Sequence, residues 1–407
     1  MDKRMQLFNF IEEKFDHMIE LQNILTSIPA IGPENGGEGE FKKAQELLKW
    51  LREQGFLNIE TFDAPDDRVP SAKRPNIVVT IPGKSEERVF WIMTHLDIVP
   101  PGEKSLWDTE PYTTVVKDGK IYGRGTEDNQ QGMVASIFAA LAFLKEGITP
   151  APTVKLLFVS DEETGSNYGI KYILNNYSIF GKNDKFLVPD GGFPDGSMIE
   201  IAEKSILWLK FNTHGKQCHA ARPELGINAF VAGSEIVTRF AKLYEKFGIS
   251  NSLFTPPYST FTPTRKEENV PNINTIPGED VFYMDCRVLP SIKVDDVLKE
   301  IDRITEEIEK KQGVKVERKT VQKVESLPTP RDSPLVKALE NAIKEVYQIE
   351  AKPIGVGGGT VGAYLRNEGF HTVVWSKIDD TAHMPNEYCV IENMIGDSKV
   401  MALMMLG

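Results

Sequence analysis

Apolar residues recur at helical spacing from residue 5 to 27, at Phe8, Ile11, Phe15, Met18, Ile19, Leu21, Ile24 and Leu25. This predicts an amphipathic helix. A Gly- and Pro-rich loop follows, IPAIGPENGGEGE, and then a second helix over about 41–55, ending at Gly55. The pattern then changes. PNIVVTIPG and RVFWIMTHLD are short, apolar and rich in β-branched residues, as buried strands are. GMVASIFAALAFLKEG reads as a helix, TVKLLFVSDEETG as a strand running into acids, SNYGIKYILNNY as a helix and DKFLVPDGG as a strand. Such alternation predicts an α/β domain whose central sheet is mostly parallel and flanked by helices.

From about residue 200 the texture differs. SILWLKFNTHG, NAFVAGSEIVTRFAKLYEKFG, VPNINTIPG, DVFYMDCRVLP, VDDVLKEIDRITEEIEKKQG and VKVERKTVQKV read as strand, helix, two strands, helix, strand. That is the split βαβ, or ferredoxin-like, order. The α/β texture resumes after about 330. The expected organisation is therefore a discontinuous first domain, 1–199 and 323–407, interrupted by an inserted domain, 200–322. No internal repeat or low-complexity segment is evident.

Composition narrows the function classes. Lys and Arg total 47 against 59 Asp and Glu, a net charge of −12. This disfavours nucleic acid or an anionic membrane surface as partner. The longest apolar run, Met133 to Leu144, falls short of the ~20 residues a membrane span needs. The N-terminal segment has acids within its apolar stretch, unlike a signal peptide. Three cysteines without a CxxC exclude a disulfide framework or a Cys-rich zinc site, and they point to a reducing, cytoplasmic setting.

The chemistry gathers where apolar strands end. His95 and Asp97 lie two apart, so on a strand both face one way, as a metal ligand and the carboxylate that orients it would. Asp128 stands in the Gly-flanked turn GRGTEDNQQG, where a carboxylate can cap a helix or bridge two cations. Asp161, Glu162 and Glu163 are three adjacent acids; a cation would relieve their repulsion, and a shared proton would raise one pKa, as a general base requires. Asp190 ends another strand, and His383 returns late in the chain. Alone, each residue has an ordinary explanation: a solvated loop, a helix cap, a structural histidine. Together they form a nitrogen-and-oxygen donor set suited to zinc, cobalt or manganese, with one glutamate to spare, the inventory of a two-metal hydrolase.

These segments resemble the M20 family of co-catalytic metallopeptidases, which includes aminoacylases, acetylornithine deacetylase, succinyl-diaminopimelate desuccinylase and several dipeptidases. HLD with IVPPGE following, WDTEPYTTVVKDGKIYGRGTEDNQQG, DEETGS and GKQCHAARPELGINA carry the resemblance, in order, over nearly the whole chain. It implies that His95 and Asp190 bind one metal, Glu163 and His383 the other, and Asp128 both. Asp97 would hold the His95 ring, and Glu162 would be the general base. His219, in the inserted lid, would polarise the scissile carbonyl, reaching in from a second subunit, so a homodimer paired through the lids is expected. Arg287, with Asn274 and the turn Gly358, Gly359 and Thr360, would grip a substrate carboxylate. The turn after Asp128 departs from the pattern: it reads Asn-Gln-Gln-Gly where many relatives carry Lys. Asp rather than Glu at position 190 leans the expected substrate toward a dipeptide or short peptide. The alternatives are an N-acyl-amino-acid deacylase of the deacetylase or desuccinylase kind and, more remotely, a catalytically silent binding protein on the same fold.

Overall fold

A computed structural model describes residues 2–407. By internal contacts the chain divides into two units. The first comprises residues up to Ile201, Thr329–Pro353 and Tyr364–Gly407; the second comprises Ala202–Pro328 and Ile354–Ala363.

The first unit is built on a mixed sheet. Its strands, in spatial order, are Ile59–Thr61, Ile77–Ile81, Pro152–Val159, Ser85–His95, Lys185–Val188, His371–Val374, Met198–Glu203 and Lys352–Val356, the last two being where the chain passes between units. The middle four are mutually parallel. Pairs outside them are antiparallel, Ile59–Thr61 with Ile77–Ile81, Ile77–Ile81 with Pro152–Val159, and Met198–Glu203 with His371–Val374. Parallel strands are covered on both faces, which is why these runs are apolar almost throughout. Helix Gln130–Lys145 is buried from Gln130 to Phe143 and packs against the C-terminal helix Ile391–Leu406. Gly132 in that helix lies so close to Pro189 that a Cβ would come within 2.5 Å of its carbonyl oxygen. A larger residue would push apart the helix and the segment carrying Asp190.

The helix predicted over 5–27 is two helices, Lys3–Glu13 and Phe15–Thr26, broken at Lys14. The apolar periodicity crosses the break and hides it.

In the second unit, Thr260–Lys266, Glu279–Val288, Ser205–His214 and Lys315–Val324 form an antiparallel sheet in that order. With helices Ala229–Arg239 and Val294–Gln312 between them in sequence, this is the split βαβ arrangement. Phe211 stacks on Phe282, with ring centroids 4.8 Å apart. Val294, Val297, Ile301, Ile304 and Ile308 make the buried stripe of the charged helix. Two expectations need correction. The strand beside Glu279–Val288 is Thr260–Lys266 rather than 270–278, which contributes only Thr275–Ile276, paired with Cys218–His219. Residues 354–363, expected in the first domain, belong to the second unit. A bridge from Phe254 to Gly355, the Lys204 N–H on the Val356 carbonyl and the Arg287 guanidinium on the Gly357 carbonyl hold them there.

Candidate metal centre

The parallel strands deliver their chemistry at their C-terminal ends, where open α/β sheets bind ligands. His95 is the last residue of Ser85–His95 and pairs in register with Val159, the last residue of its neighbour. Asp161, Glu162 and Glu163 follow Val159, and Asp190 follows Val188 by two residues. The strand ends therefore place a histidine and four acids side by side.

Asp128 lies between two imidazoles. Its Oδ1 is 2.9 Å from His95 Nε2, and its Oδ2 is 3.2 Å from His383 Nε2. His95 Nε2 also lies 3.5 Å from Asp190, and His383 Nε2 lies 3.1 Å from Glu163. Two sets, His95 with Glu162 and Asp190, and His95 with Asp128 and Glu163, each bring one donor atom per residue within 4.8 Å of the others. All are imidazole nitrogens or carboxylate oxygens, so the residues suit divalent zinc, cobalt or manganese.

The electrostatics follow from crowding. Burial pushes Glu162 well above the usual carboxylate range, and Asp190, Glu163 and Asp128 push it further, against a pull from His95. Burial alone would lower the His95 pKa, but Asp190, Asp128 and Asp97 overcome it and raise it well above normal. Hydrogen bonds to Asp128 and Glu163 raise His383 to about 10. Burial opposes ionisation of Asp128, yet the two imidazoles hold its pKa far below the usual range. A group of acids that draws both neighbouring imidazoles toward the cationic form is a group that favours bound positive charge.

Asp97 does more than face His95. The imidazole Nδ1 is 3.0 Å from the Asp97 backbone carbonyl and 3.5 Å from its carboxylate. That carboxylate accepts the backbone N–H groups of Glu162 and Glu163, both at 3.0 Å. The same turn is held from the other side, where the Asp161 N–H donates to Glu40 and Glu40 pairs with fully buried Arg74. Asn129, the first departure after Asp128, donates to Asp190 Oδ1 and to the Pro189 carbonyl, both at 2.7 Å. It fixes an acid where the sequence suggested only a missing charge.

His95, Asp97, Asp128, Glu162, Glu163, Asp190 and His383 thus come together in the first unit. His219, Asn274, Arg287, Gly358, Gly359 and Thr360 lie in the second. There the Ala220 N–H donates to the Asn274 carbonyl, and His219 is exposed, its Nδ1 accepting from the Ala221 N–H. Arg287 binds Asp285 and the Gly357 carbonyl, which sets it beside the Gly-rich turn, while Thr360 donates to Glu203 through N–H and hydroxyl. Sequence reasoning missed Glu127, Glu387, Asn129, Glu40 and Arg74. The only signal was position, since Glu127 precedes Asp128 and Glu387 follows His383 by four.

A sequence model of peptidase family M20/M25/M40 matches residues 91–407. The chain is 41% identical over 401 residues to an uncharacterised metallohydrolase of Methanocaldococcus jannaschii, covering 95% of this chain and 98% of that one. It is 26% identical over 378 residues to a succinyl-diaminopimelate desuccinylase of Nitratiruptor sp., covering 91% and 94%. The fold is similar to that of an aminopeptidase PepT from Bacillus cereus, with a TM-score of 0.76, 17% identity and 98% of each chain covered.

Proposed function

The chain belongs to peptidase family M20/M25/M40, and we propose that it is a two-metal hydrolase of small amide substrates bearing a free carboxylate, most readily a dipeptide or short peptide. The observation that carries this reading is the placement of Asp128, with one oxygen toward each imidazole, beside the half-buried Glu162.

In this reading His95 and Asp190 would hold one divalent ion, Glu163 and His383 the other, and Asp128 would serve both, with zinc the first candidate and cobalt or manganese its alternatives. When bound, the ions would polarise the scissile carbonyl and acidify a water molecule. Glu162 would take a proton from the attacking water and pass it to the leaving amine. A carboxyl whose pKa burial and neighbouring acids raise is a better proton acceptor than a free one, which suits the first transfer. Asp97 orients His95 and the Glu162–Glu163 backbone. Arg287, with Asn274 and the turn at Gly358, Gly359 and Thr360, would take the substrate carboxylate, since guanidinium binds carboxylate in a bidentate fork. His219 would stabilise the oxyanion from a partner subunit, in a homodimer joined through the second unit. A cytoplasmic location fits three free cysteines. Among the described residues no helix is long and apolar enough to cross a membrane.

A cavity of about 300 Å³ beside Asp128 and Asp190 favours the peptide reading. Phe193, Pro194, Met198 and Ile378 give it apolar walls; Asp380 adds an acid, and no Lys, Arg or His lines it. A free amine or a neutral side chain suits such a cavity; the second carboxylate of a succinyl group would find no cationic side chain among its lining residues. The 26%-identical desuccinylase supports the other reading, N-acyl-amino-acid deacylation. The test is turnover by zinc-, cobalt- and manganese-loaded protein, with metal analysis alongside, on dipeptides, N-acetyl amino acids and N-succinyl amino acids. Two ions per chain and kcat/KM led by dipeptides are expected. Preference for N-succinyl substrates would reverse the assignment, and no amide hydrolysis at full loading would leave a binding protein.

A further inference from the structure

Two acids beside the candidate metal centre are spent mainly on backbone N–H groups, and each serves the loop to which the other belongs. Glu127, 3% exposed, precedes Asp128. Its Oε1 accepts the Asp379 N–H at 2.8 Å. Its Oε2 accepts the Thr381 N–H, the Thr381 hydroxyl at 2.9 Å and the Ala382 N–H at 3.1 Å. These groups lead directly to His383. Glu387, 1% exposed, lies just past His383. Its Oε1 accepts the N–H groups of Glu127 and Asp128, both at 3.0 Å. Its Oε2 accepts the Gly125 N–H at 2.9 Å and Arg124 Nη1 at 2.6 Å, and Arg124 Nη2 reaches on to the Met384 carbonyl at 3.2 Å.

We propose that Glu127 and Glu387 are positioning residues forming a reciprocal clasp, each carboxylate fixing the loop that carries the other's neighbouring ligand, so that Asp128 and His383 are placed as one unit. The donor count explains why both are glutamates. Each side chain meets four donors, and only a carboxylate accepts at both oxygens; glutamine would turn an NH2 toward N–H groups. It also accounts for the absence of these two acids from the candidate donor sets, because both oxygens of each already accept hydrogen bonds. The loop that Glu127 holds keeps Asp380, His383 and Asn386 at φ of 61°, 63° and 59°. Side chains rarely adopt such backbone unless their surroundings impose it. The donors to Glu127 at Asp379, Thr381 and Ala382 flank Asp380 and hold the backbone on both sides of it.

The link to metal rests on the reading that Asp128 and His383 are ligands, so the test separates the clasp from that reading. Amide hydrogen exchange is measured without added metal on Glu127→Gln and Glu387→Gln. Glu127→Gln should speed exchange at least tenfold in 379–382, and Glu387→Gln in 125–128, with the parallel strands unchanged. Exchange that rises only around the substituted residue, or nowhere, overturns the clasp. Zinc titration is then followed on the same proteins. The more weakly held ion should lose at least tenfold in affinity in each variant, and the double variant should be no worse than the poorer single one. Wild-type affinity for both ions in variants with crossed exchange would overturn the positioning role. A wild-type chain that takes up no second ion would refute the two-metal reading while leaving the crossed exchange intact. Should either glutamine variant not fold, Thr381→Val removes one donor to Glu127 and should give the 379–382 change in smaller measure; no change there would also overturn the clasp.

Discussion

Replacing Asp97 by Asn tests the link between the buried turn and the metal centre. The carboxylate is 1% exposed and accepts two backbone N–H groups at 3.0 Å, those of Glu162 and Glu163. Asparagine keeps one acceptor oxygen and turns an NH2 toward the other N–H. One buried donor is left unpaired, a cost of about 1–3 kcal/mol. The same turn carries the proposed base and one proposed ligand, and Asp97 also backs the His95 ring. Removing a group that orients a ligand commonly weakens metal affinity about 10- to 100-fold, or ~1.4–2.7 kcal/mol. The two effects are separable. Urea unfolding of metal-free protein reads the first, and chelator competition on folded protein reads the second. Asp97→Ala, which strips both acceptors, should cost roughly twice as much in the unfolding assay. A metal-free midpoint unchanged in both variants, with unchanged zinc affinity, would refute the reasoning.

If Glu162 is the proton carrier proposed above, Glu162→Gln should keep the fold and both ions but lower kcat about 10²- to 10⁴-fold; near-wild-type kcat removes Glu162 from the mechanism, and loss of an ion would make it a ligand instead. Lys43 is 1% exposed, its Nζ has no hydrogen-bond partner, and burial pushes its pKa down to about 8 against the pull of Asp97, Glu40 and Glu387. A lysine titrating lower when folded than when unfolded leaves the unfolded chain with more protons between about pH 8 and 10.5, so stability should rise with pH across that window, by at most about 3 kcal/mol. Lys43→Met should flatten that rise and be the more stable protein at pH 7, as urea midpoints at several pH values will read; parallel profiles would contradict it. If His219 acts across a dimer, mixing inactive His219→Ala chains with inactive Glu162→Gln chains should restore part of the activity after subunit exchange, and no recovery despite proven exchange would exclude action in trans.

Much of the centre was legible because its residues sit where apolar strands stop. A run such as TVKLLFV has one plausible burial, and the acids after it have nowhere to lie except the end of the sheet. The rest failed for reasons of chemistry. Thr260–Lys266 went unread because it is an edge strand, mostly exposed, and its Thr, Arg and Lys carry no apolar signal. NINTIPG looked like a strand, yet only two of its residues pair. Glu127 and Glu387 could not be found by periodicity, since most of their partners are backbone groups 252 to 262 residues away. The Gly-rich turn was assigned to the wrong unit because the helix after it belongs to the first unit, and its own attachments to Lys204 and Arg287 leave no local trace.

The strand His371–Val374 lies between Lys185–Val188 and Met198–Glu203, two strands made far earlier in synthesis. A ribosome adding ~5–20 residues per second leaves those two edges unpaired for roughly 8 to 37 seconds. Bare edges invite pairing with other chains, so the nascent protein is most exposed to aggregation in that interval. The delay also has a protective side. His383 emerges after the closing strand, so if it holds a metal as proposed, the centre is complete only when the sheet is, and an unfinished chain should be inactive. Chains stopped at residue 370 should therefore be protease-sensitive and aggregate, and compact, protease-resistant chains of that length would contradict this order of assembly.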